Sequence, residues 1–258
     1  MSQKKKTITK VWQQTEIAPQ IFDLWLETEL AQDARPGQFV GLYPKSGAEL
    51  LPRPVSICEA DKTNNRLRLV YRIAGKGTKE FSHLKAGGKI AVLGVLGNGF
   101  PLGKAEGKKV FLMGGGIGIP PMLELAKAMD EKKQILLGYR NKDLFLEEDL
   151  EKYGDVYVAT EDGSVGTKGT VMDIIKAYSL QADMIMACGP MPMLRAIKEY
   201  AAKQGMDAYI SLEERMACGV GACLGCVCKT TEEDAHSHVH NARICTEGPV
   251  FEAGEVAI

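Results

Sequence analysis

From residue 7 to about 101, apolar and polar positions alternate in short runs: Ile8, Val11 and Trp12, then residues 21–26, 38–42, 55–57 and 66–71. A period of two, broken repeatedly by Gly, Pro and Asn, predicts short strands arranged as a small antiparallel β-barrel. Residues 94–100, with Gly97-Asn98-Gly99, predict a turn that closes this region. After Gly103–Gly107 the pattern changes. Apolar runs at 110–113, 134–138, 156–159 and 184–187 alternate with helical patterns at 120–129, 146–152, 171–178 and 192–203. Apolar strands covered on both faces predict a doubly wound parallel sheet. The chain thus divides into a β domain over 1–102, an α/β domain over 103–212 and a cysteine-rich module over 213–258.

The 258 residues are enough for two domains and a small module, and 45% apolar with 25% charged residues is ordinary for a soluble globular chain. A formal net charge of −1 gives no reason to expect nucleic acid or a membrane surface. Neither a signal peptide nor a membrane-spanning run is legible, since the apolar stretch at 183–194 is too short. Seven cysteines, an odd number crowded toward one end, suit metal ligation in a reducing compartment and predict a cytoplasmic protein.

The cysteines carry the strongest chemical signal. Cys218, Cys223 and Cys226 are separated by four and two residues and followed by the distant Cys245, the spacing of a [2Fe-2S] ligand set. Gly219, Gly221, Ala222 and Gly225 let the loop bend while its N–H groups reach sulfur. Cys228 is a second candidate for the fourth position. On an extended backbone, though, it would share a face with Cys226, which favours Cys245. A zinc module built on Cys223, Cys226 and His236, His238 or His240 is the competing reading. It leaves Cys218 unexplained and its pairs too close.

Two further constellations suggest cofactors. Arg53-Pro54-Val55-Ser56 places a proline where a strand lacks a neighbour, beside a guanidinium able to hold phosphate. Gly75-Lys76-Gly77-Thr78 opens a short helical pattern, either as a phosphate turn or as a capped hairpin. In the α/β domain Gly114-Gly115-Gly116-Ile117-Gly118 sits at the first strand-to-helix turn, where dinucleotides bind, although it is not a clean G-x-G-x-x-G. Cys188-Gly189-Pro190 ends a later strand, and Cys188 reads either as a thiol at the ligand edge or as a core residue. Arg140 stands where an acidic residue would hold a ribose hydroxyl.

This order of motifs, ending in Cys245-x-Glu247-Gly248-Pro249-Val250-Phe251, resembles the ferredoxin-NADP reductase superfamily and, within it, the electron-transfer subunits of type B dihydroorotate dehydrogenase. The resemblance covers nearly the whole chain. It implies FAD held by Arg53, Pro54, Val55, Ser56, Val70, Tyr71, Arg72, Gly77 and Thr78. It also implies NADH at Gly114, Gly115, Gly116, Gly118, Gly189 and Pro190, with Ser56 and Cys188 beside the hydride transfer. Plant-type members carry a stacking tyrosine where Pro54 and Val55 stand here. The implied partner is an FMN-bearing catalytic subunit in a two-plus-two heterotetramer serving pyrimidine (UMP) biosynthesis. Related architectures feed hydrogenases or sulfite reductases, and preference for NADH over NADPH rests on the resemblance alone.

Overall fold

The structure, a computed structural model, describes residues 5–46, 49–233 and 239–258. The first six strands are β1 (Lys5–Ala18), β2 (Ile21–Glu27), β3 (Phe39–Tyr43), β4 (Arg53–Asp61), β5 (Arg66–Arg72) and β6 (Lys89–Leu96), with short helices α1 (Leu30–Asp33) and α2 (Lys76–Phe81) between them. They close in the order β1-β2-β5-β4-β3-β6, every pair antiparallel. Alternation drives closure, because residues such as Leu24, Leu26, Val40, Leu42, Leu67 and Leu69 are fully buried inside. Residues 94–96, expected in a turn, instead complete β6. Its burial is almost continuous from Val92 to Leu96, so no alternation marks where the strand ends.

The second sheet is built from β7 (Val110–Gly115), β8 (Lys133–Tyr139), β9 (Asp155–Thr160), β10 (Thr167–Lys168), β11 (Met184–Cys188) and β12 (Asp207–Ser211). These are connected by α3 (Pro120–Ala128), α4 (Glu147–Leu150), α5 (Val171–Ala177) and α6 (Met191–Gln204). Its parallel order, β10-β9-β8-β7-β11-β12, reverses direction between β7 and β11, which is where ligands bind such sheets. The remaining strands are β13 (Val227–Lys229), β14 (Asn241–Arg243) and β15 (Val250–Glu252). β13 and β14 form a hairpin, whereas β15 pairs antiparallel with β12 and completes the second sheet. The cysteine-rich region is therefore bonded into the α/β domain.

Helix α3 packs on β4 and so joins barrel to sheet. There the buried Glu124 accepts the Ala60 N–H at 2.9 Å. Nearby Arg68 on β5 donates to Asp23 within the barrel and to Asp149 of α4 at 2.9 Å, linking the two domains through a largely buried guanidinium. Burial raises the Asp23 carboxyl against the pull of Arg68, the mark of an ion pair that costs much of what it returns.

Candidate functional site

One seam of the closed barrel, between β4 and β5, is bonded along only part of its length. β4 pairs with β3 from Arg53 onward, but with β5 only from Ile57, opposite Leu69. Val70, Tyr71 and Arg72 pair with β2 alone. Pro54, which has no N–H, falls where β5 offers no acceptor. The opened seam is a cleft of about 720 Å³ with Arg53–Ser56 on one lip, Val70–Arg72 on the other and Gly75 and Thr78 at one end. Ile117, residues 211–216 and Pro249 close it from the α/β side. Apolar walls with a few placed charges at this size suit a dinucleotide.

Within the cleft Arg53 donates to the Leu51 carbonyl at 2.6 Å and pairs with Glu49. Gly77 lies beneath it, where a Cβ would stand 2.7 Å from Nε, so Gly77 makes room for Arg53 and does not itself line the space. The Thr78 hydroxyl accepts the Ala74 and Gly75 N–H groups and fixes the start of α2. Tyr71 turns its ring inward: it stacks on Phe22 and donates to Gln14 Oε1 at 2.9 Å, so its backbone is what borders the cleft. Ser211, Glu213, Met216 and Pro249 were not legible as site residues, because they reach the cleft through the short β12 and the β15 return. Glu213 faces the cleft, and the protein around it raises its carboxyl while Arg72 opposes the shift.

The glycine turns at the sheet edge lie against each other. A Cβ on Gly118 would meet the Cys188 carbonyl at 2.3 Å, and one on Gly115 the Met193 sulfur at 2.4 Å; Gly189 is similarly crowded. Gly114 backs onto Ile119. These glycines let β7, β11 and α6 approach closely, while Gly116 (φ +53°), with nothing near its Cβ position, faces open space. Pro190 caps α6. Cys188 is 1% exposed, its thiol contacts Ser211, and burial raises its ionisation well above the ordinary range. It stands behind the cleft wall, and Ser211 is the residue that lines it.

The segment from Ser211 to Met216 leads directly into the cysteine loop. Cys218 Sγ accepts the N–H groups of Val220 and Ala222 at 3.4 and 3.3 Å, and Cys223 Sγ accepts that of Gly225 at 3.4 Å. The Val220 N–H leads in lowering the Cys218 thiol to about 6, whereas burial leads in raising Cys245 to about 11. Cys218 stands close to Cys223 and Cys226 close to Cys245, Cys223 perturbing the ionisation of Cys218 and Cys226 that of Cys245, and the field of Cys218 reaches Cys245. Among the described residues no group of three or more His, Cys, Asp or Glu is placed to hold a metal ion. The thiols gather as two pairs, and thiolates in pairs with inward N–H groups fit two irons with two protein sulfurs each. Cys228, half-buried in β13, lies within the field of Cys226 on the neighbouring loop, and burial leads in raising its thiol. His240 is exposed beside the hairpin, and His236 and His238 lie outside the described residues. No helix among the described residues is long and apolar enough to cross a membrane.

Comparison with known proteins agrees with this geometry. Residues 213–257 match the iron-sulfur cluster binding domain of dihydroorotate dehydrogenase B, and residues 112–199 match the oxidoreductase NAD-binding domain. The electron transfer subunit of dihydroorotate dehydrogenase B (NAD(+)) from Listeria innocua is 45% identical over 98% of this chain and 99% of its own. The corresponding subunit from Bacillus cereus is 46% identical over the full length of both. Among solved structures, an NADH-dependent reduced ferredoxin-NADP oxidoreductase superposes with a TM-score of 0.87 at 29% identity, covering 97% of this chain and 90% of that one. A ferredoxin NADP+ reductase from Neisseria gonorrhoeae, at 18% identity and a TM-score of 0.65 over 82% and 94% of the two chains, shares the fold. With relatives this similar along its whole length, the chain belongs to the family of dihydroorotate dehydrogenase B (NAD(+)) electron transfer subunits.

Proposed function

We propose that this chain passes electrons between NADH and the FMN-bearing catalytic subunit of a type B dihydroorotate dehydrogenase, through FAD and a [2Fe-2S] cluster, in pyrimidine synthesis. The observation that carries this reading is continuity: residues 211–216 wall the cleft, and Cys218 follows two positions after Met216. FAD, when bound, supplies the exchange between paired electrons on nicotinamide and single electrons on a cluster. Arg53 and Arg72 neutralise phosphate, while Val55, Leu212, Met216 and Pro249 exclude water from a flat ring. Ser56 offers a hydroxyl on the cleft lip, and the Gly116 turn beside Ile117 leaves backbone free toward a nicotinamide nucleotide. Cys188 acts from behind, by seating Ser211. Cys218 and Cys223 would hold one iron and Cys226 and Cys245 the other, the loop N–H groups stabilising charge on sulfur. We place the assembly in the cytoplasm as a heterotetramer of two such chains and two catalytic subunits.

The test is an anaerobic preparation purified with its partner. It should contain one FAD per chain and equal iron and acid-labile sulfide, bleach with NADH, and carry a dihydroorotate-oxidising FMN subunit. Zinc without sulfide, or a hydrogenase or sulfite reductase subunit in its place, would overturn the assignment.

A further inference from the structure

Asn98 lies on the turn after β6, outside the cofactor and cysteine motifs, yet it binds the cysteine-bearing segment through both its backbone and its side chain. Its backbone N–H donates to the Gly248 carbonyl at 2.7 Å. Its side-chain Nδ2 donates to the carbonyls of Glu247 and Val250 at 2.7 and 3.1 Å, and its Oδ1 accepts the Val250 N–H at 3.1 Å. The amide is held in one orientation, since turning it over would set oxygen against two carbonyl oxygens. The turn is built to allow this approach. Gly97 has φ +74°, and a Cβ there would lie 2.5 Å from Pro249 Cδ.

The segment so gripped joins two sites. Cys245 stands just before it, in a tight turn where the N–H groups of Thr246, Glu247 and Gly248 all donate to the Arg243 carbonyl. Pro249 at its far end lines the cleft, and the Pro249 carbonyl accepts the Leu212 N–H at 2.9 Å from the opposite wall. The Cys226 carbonyl accepts the Ile244 N–H at 2.9 Å, so the cysteine loop is tied to the same piece of chain. The barrel meets that loop once more where Gly219 faces Leu93 and Leu96 of β6. Leu96 and Asn98 are two residues apart, and both hold the cysteine module.

Building on the function proposed above, we propose that Asn98 is a positioning residue that sets the spacing between the flavin cleft and the four-cysteine centre. It touches neither the cleft nor a cysteine. It acts through residues 247–250, which carry a cleft wall at one end and follow directly from a cluster ligand at the other. Single-electron transfer between the two centres depends on that spacing, whereas nicotinamide binding and hydride transfer at the cleft do not involve it.

The experiment compares the parent complex, purified with its partner, with Asn98→Ala and Asn98→Asp. The aspartate keeps the acceptor for Val250 and the size of the side chain but sets a carboxylate against the Glu247 and Val250 carbonyls. Asn98 lies on an exposed turn, so both variants are expected to fold. FAD, iron and sulfide per chain should match the parent, and bleaching of the flavin by NADH should keep its rate. The amides of residues 246–248, 250 and 251 should exchange with deuterium on the order of tenfold faster, and reduction of the cluster behind the flavin should slow several-fold. Unchanged amide exchange, or faster exchange with an unaltered flavin-to-cluster rate, would overturn the proposal. If the alanine variant loses its cluster, the aspartate variant decides. A parent complex without flavin or cluster would instead sink the function proposed above, and amide exchange would still report the grip of Asn98.

Discussion

Cys228 and Cys245 were rivals for one role in the sequence, and their surroundings separate them. Cys245 lies within the fields of both Cys226 and Cys218, while Cys228 sits on a hairpin strand opposite Ala242 and feels Cys226. Replacing Cys245 by Ser should therefore abolish the visible absorption and the iron content, and Cys228→Ser should retain both. The reverse result, read by iron and sulfide analysis, would mean that the second iron takes a different sulfur. The cysteine loop was legible because its spacing is itself chemical: no helix or strand periodicity produces Cys-x4-Cys-x2-Cys among glycines. The roles of the glycines at 114–118 were less so. The close approach of α6 and the Cys188 carbonyl gives Gly115 and Gly118 a packing role that their letters did not announce. A packed glycine and a phosphate-facing glycine look the same in a string of letters.

At the scale of elements, the interface between α3 and β4 carries an avoidable charge. Burial raises the Glu124 carboxyl, with the Ala60 N–H, Lys127 and Lys62 pulling the other way. A carboxyl whose folded ionisation lies above its unfolded value costs stability at neutral pH, and the cost fades as pH falls through the folded value toward the unfolded one. Glu124→Gln keeps an oxygen for the Ala60 N–H and removes the charge. It should raise the thermal midpoint by a few degrees at pH 8 and leave it unchanged near pH 4, where both chains are neutral at this site. A gain of equal size at both pH values would rule out ionisation as the cause. The strands of the barrel and most of the α/β alternation were readable because burial on one face imposes a period of two and on one stripe a period near four. β12 to β15 were not, since each is five residues or fewer and is fixed by its partner strand more than by its own pattern. The seam between β4 and β5 was out of reach as well. It exists in the register between strands, and the sequence hinted at it only through Pro54.

For the molecule as a whole, that seam makes stability depend on what fills it. The lips, Arg53–Ser56 and Val70–Arg72, lack strand partners on one side, and a ligand bound only to the folded chain adds RT ln(1 + [L]/Kd). Free FAD at a hundred times its Kd should stabilise the flavin-free chain by about 2.7 kcal/mol, seen as a rising thermal midpoint and as protection from proteolysis around residues 49–56. Equal stabilisation by FMN, which has no second phosphate or adenosine, would mean that Arg53 and the α2 end of the cleft take no part in binding.

The pairing of β15 with β12 carries a consequence for the cysteine-bearing stretch between them. Cys218, Cys223, Cys226 and Cys245 all lie between these two strands in the chain, so the stretch that carries them is a loop clasped at its base by one three-residue ladder. Whatever unzips that clasp loosens all four sulfurs together, and whatever steadies the sulfurs keeps the clasp shut.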